Sequence, residues 1–179
     1  MIMPSDRQRD MDTAKQSNPV LLPLIARKLG ANRVISCEEW SESPVCAALD
    51  QIAGVDAIAI EEDGIRGIAI RVQTPENAKY ASFTVRVERV TGGETELAKR
   101  VKAIEEGHLY PHYTVHAFYD YTHNKVLSGA ICDTCDLYGY LTGQGDKVKR
   151  RKAYDGNEFF HATFDEVESS CPSILHRIP

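Results

Sequence analysis

The chain has 179 residues, of which 42% are hydrophobic and 26% are charged, a composition typical of a soluble globular protein. Its formal net charge of −5 and its pI of about 5.7 exclude a protein that is drawn to nucleic acid or anionic lipid by overall basic character. A local cleft can still carry a positive field. No run approaches the roughly 18 apolar residues that a membrane helix needs, so we expect no membrane span.

Cysteine usage indicates the compartment. Five cysteines are scattered along the chain, which is typical of a reducing environment and not of a disulfide framework. The N-terminal segment is polar and has no apolar signal-peptide region, so we expect a cytoplasmic protein. Cys132 and Cys135 have the spacing of half a zinc site or of a redox pair. No second half is visible, so two thiols near a helix start are the default interpretation and zinc is the alternative.

The N-terminal part divides into two predicted regions. Residues 1–18 lack apolar periodicity and are predicted to form a flexible arm, and residues 19–179 are predicted to form a single α/β domain. Asn18 and Pro19 suit the start of a helix. Gly30 is expected to end that helix.

Three consecutive strands are predicted in the middle of the chain, over 56–60, 67–73 and 81–89. Asp63-Gly64 between the first two apolar runs is typical of a hairpin turn. We expect the second and third strands to pair antiparallel across the loop between them.

Alternation gives the second strand two different faces, because successive strand side chains point to opposite sides. Its apolar face consists of Ile68, Ile70 and Val72, and its polar face of Ala69, Arg71 and Gln73. In the third strand, the polar side chains are Thr84, Arg86 and Glu88. The predicted pairing places Arg71 near Thr84 and Ala69 near Arg86. This polar face is the best candidate site in the sequence.

Further elements follow the third strand. Leu97, Val101 and Ile104 form one stripe of a predicted helix, and Gly107 is expected to end it. The other predicted elements are strands over 113–119 and 125–131, a helix from 134 to 141, an exposed basic loop over 147–152, a last strand over 158–164 and an irregular tail after Pro172.

The order helix, three strands, helix and strand, with Asp56 opening the first of the three strands, resembles the core of the PD-(D/E)XK nucleases, the restriction-endonuclease-like superfamily. The resemblance covers about residues 45–119. It implies an α/β fold with a mixed central β-sheet flanked by helices. In that superfamily an Asp on one strand and a Glu or Gln two residues before a Lys on the next hold a divalent metal and a water nucleophile.

The chain departs from this motif at two positions. Ala69 stands where the superfamily has its second acid, and Arg71 stands where it has Lys. An alanine cannot bind a metal, and an arginine is too basic to exchange a proton with water. Gln73 or Glu88 is one source of the missing oxygen, and Asp50 is another.

The resemblance therefore implies that Asp56 and Asp50 bind Mg²⁺ or Mn²⁺, and that Asp56, Arg71 and Gln73 form the catalytic group. The residues expected to contact nucleic acid are Arg71, Arg86, Lys149, Arg150 and Arg151. The alternative interpretation is an ordinary sheet, in which Asp56 shapes a turn and the arginines pair with Glu88 and Glu61 on a solvated face.

Three hypotheses of function remain open. The first is a divalent-metal-dependent nuclease acting on DNA. The second is a non-catalytic module of phage or mobile-element type that keeps the fold and binds nucleic acid or a protein partner through its polar face. The third is an oligomerisation domain whose exposed tyrosine and phenylalanine side chains form a homodimer.

Overall fold

The computed structural model describes residues 6–40, 43–49, 53–90, 92–143, 148–153, 156–170 and 175–179. The helices are α1 (Asp6–Leu29), α2 (Pro44–Ala48), α3 (Glu96–Glu105), α4 (Thr134–Gly143) and α5 (Phe164–Ser170). The strands are β1 (Arg33–Ser36), β2 (Ala57–Ile60), β3 (Ile65–Gln73), β4 (Ser82–Glu88), β5 (Tyr113–Asp120), β6 (Lys125–Asp133), β7 (Lys149–Lys152), β8 (Glu158–Thr163) and β9 (Leu175–Ile178). Short 3₁₀ helices span Cys37–Trp40 and Pro75–Tyr80. The predicted α/β class with a mixed central sheet is confirmed.

The strands form two sheets. The large sheet has the order β1-β2-β3-β5-β6-β9, and the small sheet has the order β4-β8-β7. In the large sheet, β1, β2 and β3 form an antiparallel meander, β3 pairs parallel with β5, and β5, β6 and β9 are antiparallel. The predicted hairpin between β2 and β3 is therefore confirmed.

The predicted antiparallel pairing of β3 with β4 is wrong. The side of β3 that does not pair with β2 is occupied by β5, and β4 pairs with β8 in the other sheet. The intervening 3₁₀ helix Pro75–Tyr80 is followed by Ala81 in the left-handed backbone region, with φ of 39°. The chain is thereby turned away from β3 before β4 begins.

Two hydrophobic cores lie on the two faces of the large sheet. One core packs α1 against the face that carries Ile68 and Val115. The other core lies between the opposite face, the small sheet and α4 and α5, and it includes Phe83, Phe118 and Phe160. The predicted apolar face of β3, with Ile68, Ile70 and Val72, is confirmed by this division. The predicted stripe of α3 also packs against the second core.

Helix α1 begins at Asp6 and not near Asn18, so the predicted start is wrong and residues 6–18 are helical. The sequence of this segment is polar and has no apolar stripe, which is the pattern by which an amphipathic helix is predicted, so its helix was missed. A contact with β5 holds this part of the helix in place: the Tyr119 hydroxyl lies 3.2 Å from the Gln16 carbonyl oxygen. Although α1 has 24 residues, no helix in the described ranges is both long and apolar enough to cross a membrane.

Three elements near the C-terminus differ from the sequence prediction. Lys149–Lys152 is strand β7 and not a loop, residues Phe164–Ser170 form α5, and Leu175–Ile178 forms β9 where an irregular tail was expected. Strand β7 has no apolar residue, and all four of its side chains are exposed. It is extended because it pairs with β8. The local sequence of β7 does not indicate this pairing, so the strand was not predicted.

Packing of α1 on the large sheet is expected to carry a large share of the stability. Ile25 is fully buried in the core beneath α1. We predict that Ile25→Ala lowers the free energy of unfolding by about 2–5 kcal/mol, because it removes buried methyl groups and leaves a cavity. Lys28→Ala, on the exposed side of the same helix, is predicted to change it by less than about 0.5 kcal/mol. Urea unfolding followed by circular dichroism measures both, and equal effects would contradict this packing.

Candidate functional site

The candidate site lies where the free edge of β4 meets the large sheet. The Thr84 amide donates to Nδ1 of His116 at 3.2 Å, and the Thr84 carbonyl accepts a hydrogen bond from Nη1 of Arg71. Arg71 and His116 are register partners in the parallel pair β3 and β5. Two neighbouring side chains therefore bind the backbone groups that an edge strand leaves unpaired.

The Thr84 side chain extends this junction. Its hydroxyl oxygen lies 3.1 Å from Nε2 of Gln73 and 3.3 Å from Nη1 of Arg71. Arg71 also forms an ion pair with Glu96 at the start of α3, at 3.4 Å. The predicted proximity of Arg71 and Thr84 is confirmed, although the contact joins two sheets and is not part of a strand ladder.

His116 is neutral at this junction. Its side chain is almost completely buried beside the Phe83 ring. Burial, followed by the positive charge of Arg71, lowers the pKa of His116 to about 3, against the opposing effect of a hydrogen bond with the Ser82 backbone. Because Nδ1 accepts a hydrogen bond from the Thr84 amide, the proton of the neutral ring is on Nε2.

One face of the small sheet carries the basic residues. In the strand register, Arg86 lies opposite Phe159, and Phe159 lies opposite Arg151. The next row consists of Thr84, His161 and Lys149 in the same strand order. We call these six side chains, together with Arg71 from β3, the basic face. The opposite face of the small sheet belongs to the hydrophobic core.

Aromatic rings hold the cations of the basic face in place. The guanidinium carbons of Arg71 and Arg86 lie 6.0 Å and 5.4 Å from the centre of the Phe159 ring. The guanidinium carbon of Arg151 lies 5.3 Å from the centre of the Tyr80 ring. Each contact is in the range of a cation–π interaction, which restricts the arginine without neutralising it.

Acidic residues neutralise only part of this charge. Glu96 pairs with Arg71, and Glu166 pairs with Lys149 at 3.3 Å. Arg86 and Arg151 have no ion pair within the described residues, and Nε of Arg86 is buried without a hydrogen-bond partner there. A positive surface is therefore concentrated here on an acidic protein.

Arg150 and Glu61, which were both predicted to lie near the candidate arginines, have other neighbours in the structure. Arg150 lies on the other side of β7, because its register partner is Phe160 and its guanidinium carbon lies 5.4 Å from the centre of that ring. It is therefore separated from Arg86 and Arg151. Glu61 pairs with Arg66 at 2.6 Å, so it is not the partner of the candidate arginines.

Asp56 has a structural hydrogen bond at the head of β2. Its Oδ2 accepts from the Ile70 amide at 2.6 Å. Gln73 contacts Thr84, and Asp50 lies outside the described residues. Among the residues that the structure describes, no three His, Cys, Asp or Glu side chains gather into a group that could hold a metal ion. Of the two acids proposed to bind Mg²⁺ or Mn²⁺, only Asp56 lies within the described residues, so metal binding here stays a prediction.

The CxxC segment is placed at the start of α4, as expected from the sequence. Cys132 is buried, Cys135 is partly buried, and neither forms a disulfide within the described residues. The Tyr110 hydroxyl lies 3.0 Å from Sγ of Cys135, and this hydrogen bond, followed by burial, raises the pKa of Tyr110. Zinc binding at these thiols stays a prediction.

Three residues at the site were not predicted to share one surface: Tyr80, Phe159 and His161. Alternation in the β8 segment does place Phe159 and His161 on one side. The sequence does not reveal which side is covered, because the core that contains Phe160 is built from many segments of the chain, including strands of the large sheet. Tyr80 reaches this surface only through the left-handed turn at Ala81.

Comparisons with protein-family models, with curated proteins and with solved structures found no match.

The neutral state of His116 predicts a pH dependence of stability. Its pKa of about 3 in the folded chain is below the value of about 6.5 expected for an unfolded chain. The unfolded state therefore takes up the proton first, and the free energy of unfolding falls as the pH is lowered from about 6.5, by at most about 1.4 kcal/mol per pH unit.

In His116→Gln, the side-chain oxygen still accepts from Thr84 but does not titrate. We predict a shallower decline for this variant than for the unsubstituted protein between about pH 6.5 and pH 5, above the range where most carboxylates titrate. Urea unfolding across this range measures the difference. Identical slopes would mean that His116 is not a buried neutral group.

Arg71 is predicted to contribute to stability through Thr84. Arg71→Met removes the donor to the Thr84 carbonyl, and we predict a loss of about 1–3 kcal/mol in the free energy of unfolding. Arg86→Met loses a ring contact but no described hydrogen bond, so its loss is predicted to be below about 1 kcal/mol. Chemical denaturation compares the two, and a larger effect at Arg86 would contradict the proposed junction.

Proposed function

We propose that the protein binds nucleic acid through the basic face. The observation that carries this proposal is the row of Arg86, Phe159 and Arg151 across the three strands of the small sheet. Arginine side chains bind phosphate oxygens through paired N–H groups. A flat strand surface with cations on both sides of an aromatic ring suits an extended polyanion better than a small compact anion.

Charge also supports this proposal. The chain has a net charge of −5, so scattered basic residues would not attract a polyanion. Arg86 and Arg151 have no ion pair within the described ranges. The rings of Phe159 and Tyr80 hold their guanidinium groups in place. A phosphate would be the ionic partner that the described residues do not provide. Its binding would also release counterions from the nucleic acid, which favours association.

Binding is predicted to be metal-independent and sensitive to salt. Fluorescence anisotropy with a labelled 20-nucleotide probe in EDTA is expected to show saturable binding. For a single-stranded probe, the slope of log affinity against log salt is expected to be about −2 to −3, as for three or four phosphate contacts. Arg86→Gln and Arg151→Gln are each predicted to weaken binding several-fold and to reduce the slope.

Arg150→Gln is the matched control, because Arg150 is adjacent to Arg151 in sequence but lies on the other side of β7. It removes the same charge and is predicted to leave affinity nearly unchanged. No saturable binding, or equal weakening by Arg150→Gln and Arg151→Gln, would contradict the proposal.

A divalent-metal-dependent nuclease acting on DNA is the second candidate. The observation in its favour is the order of the elements on the large sheet: α1, the meander β1-β2-β3 with α2 between its first two strands, then α3 and the parallel strand β5. This match uses β1, β2 and β3, whereas the resemblance in sequence used the segments of β2, β3 and β4, and β4 belongs to the small sheet. Restriction-endonuclease-like proteins share the order helix, three strands, helix and strand. Asp56 precedes the middle strand of this meander, and Asp50 is the other proposed ligand of Mg²⁺ or Mn²⁺.

The nuclease candidate predicts metal-dependent cleavage of plasmid or single-stranded circular DNA that stops in EDTA. Asp56→Asn is predicted to abolish cleavage, while its remaining oxygen still accepts from the Ile70 amide. Asp63→Asn is the control, because Asp63 is exposed and pairs with Arg66. Gel electrophoresis measures the products. Absence of cleavage with intact binding would reject the nuclease and leave the binding proposal in place.

A further inference from the structure

Tyr80 lies at the border of the basic face and is partly exposed, with Nζ of Lys79 5.1 Å from the centre of its ring. It ends the 3₁₀ helix Pro75–Tyr80, and 40% of its surface is exposed. Among the tyrosine and phenylalanine side chains that the structure describes, it alone is more than a third exposed. The next residue, Ala81, has a left-handed backbone with φ of 39°, which is unfavourable for a side chain other than glycine. The fold therefore maintains this position against a conformational preference.

His161 lies beside Tyr80 and has unused hydrogen-bonding groups. The two ring centres are 6.1 Å apart, with an interplanar angle of 86°. His161 is 6% exposed, yet neither ring nitrogen has a hydrogen-bond partner among the described residues. Buried polar groups without partners are rare and destabilising, so such a group calls for an explanation. Because both nitrogens are buried, a ligand would reach them only by displacing the neighbouring Tyr80 ring, and it would then provide this partner.

The surroundings of His161 indicate the chemistry of this ligand. Burial, followed by the positive charge of Arg151, lowers the pKa of His161, with Lys149 acting in the same direction and Glu166 against it. The ring is therefore neutral at physiological pH and offers one donor and one acceptor nitrogen. Phosphate oxygens only accept, whereas the edge of a nucleobase carries both donors and acceptors. The histidine matches a base better than a phosphate.

We propose that the basic face binds single-stranded nucleic acid and holds one unpaired base against the Tyr80 ring, with the base edge hydrogen-bonded to His161. This inference rests on the proposed function and specifies its substrate. Arg86 and Arg151 contact the phosphates on either side, in the combination of cations and stacking rings used for single strands. Bases in a duplex are already paired and stacked, so a duplex offers no base to this position.

Three labelled probes of equal length test the inference by fluorescence anisotropy in EDTA: a single-stranded oligonucleotide, the same backbone with every base replaced by an abasic analogue, and a duplex. The single strand is expected to bind about 5- to 100-fold more tightly than the abasic backbone, the range measured for one stacked base. Tyr80→Leu and His161→Leu are expected to reduce this preference, and Tyr80→Phe to retain it. Arg86→Gln is expected to weaken binding of both probes.

The outcomes separate the two proposals. Equal affinity for the single-stranded and abasic probes would overturn the base site and leave phosphate binding intact. Preference for the duplex, or an unchanged preference in Tyr80→Leu, would overturn it as well. Absence of binding to all three probes would overturn both proposals. Circular dichroism of each variant shows whether a loss of affinity reflects unfolding.

Discussion

The arrangement of the two sheets depends on the hydrogen bonds of one residue at the edge of β4. Thr84 donates its amide proton to His116 and accepts at its carbonyl from Arg71. An edge strand that packs inside a protein would otherwise leave both groups unpaired, at a cost of about 1–3 kcal/mol each. The two partner side chains come from adjacent parallel strands, so the large sheet determines where β4 lies and how the small sheet faces.

This junction also places the basic face. With Phe83 directed into the core, alternation along β4 directs Thr84 and Arg86 to the other side. Arg71 belongs to both structures, because it donates to Thr84 and lies near the Phe159 ring. The polar side chains of β3, which resemble a nuclease motif in sequence, therefore join the two sheets. The cations that remain available for a ligand lie mainly on the small sheet.

Local patterns predicted most of the strands, the two faces of β3 and the hairpin of β2 with β3, but not the partners of β4. The alternation of Ile70 and Arg71 assigned each to the correct side of the large sheet, because the strand period is a local property. The contact between Arg71 and Thr84 was predicted from a strand pairing that does not exist. Pairing depends on which edges are filled by distant segments, here β5 and β8. Phe159 and Tyr80 were missed for the same reason, since packing against the large sheet and the helices decides which face of the small sheet remains open.

Chemical-shift mapping by ¹⁵N-resolved NMR locates a bound ligand residue by residue, so it tests whether nucleic acid binds at the basic face. On titration with a single-stranded oligonucleotide in EDTA, we expect the largest changes at the amides of Phe159 and Arg151 and at the side-chain Nε of Arg86. Val45 and Leu109, which are exposed on an apolar surface elsewhere, are predicted to stay unchanged. Changes centred on that apolar surface, or no changes at the basic face, would show that the basic face is not the binding site.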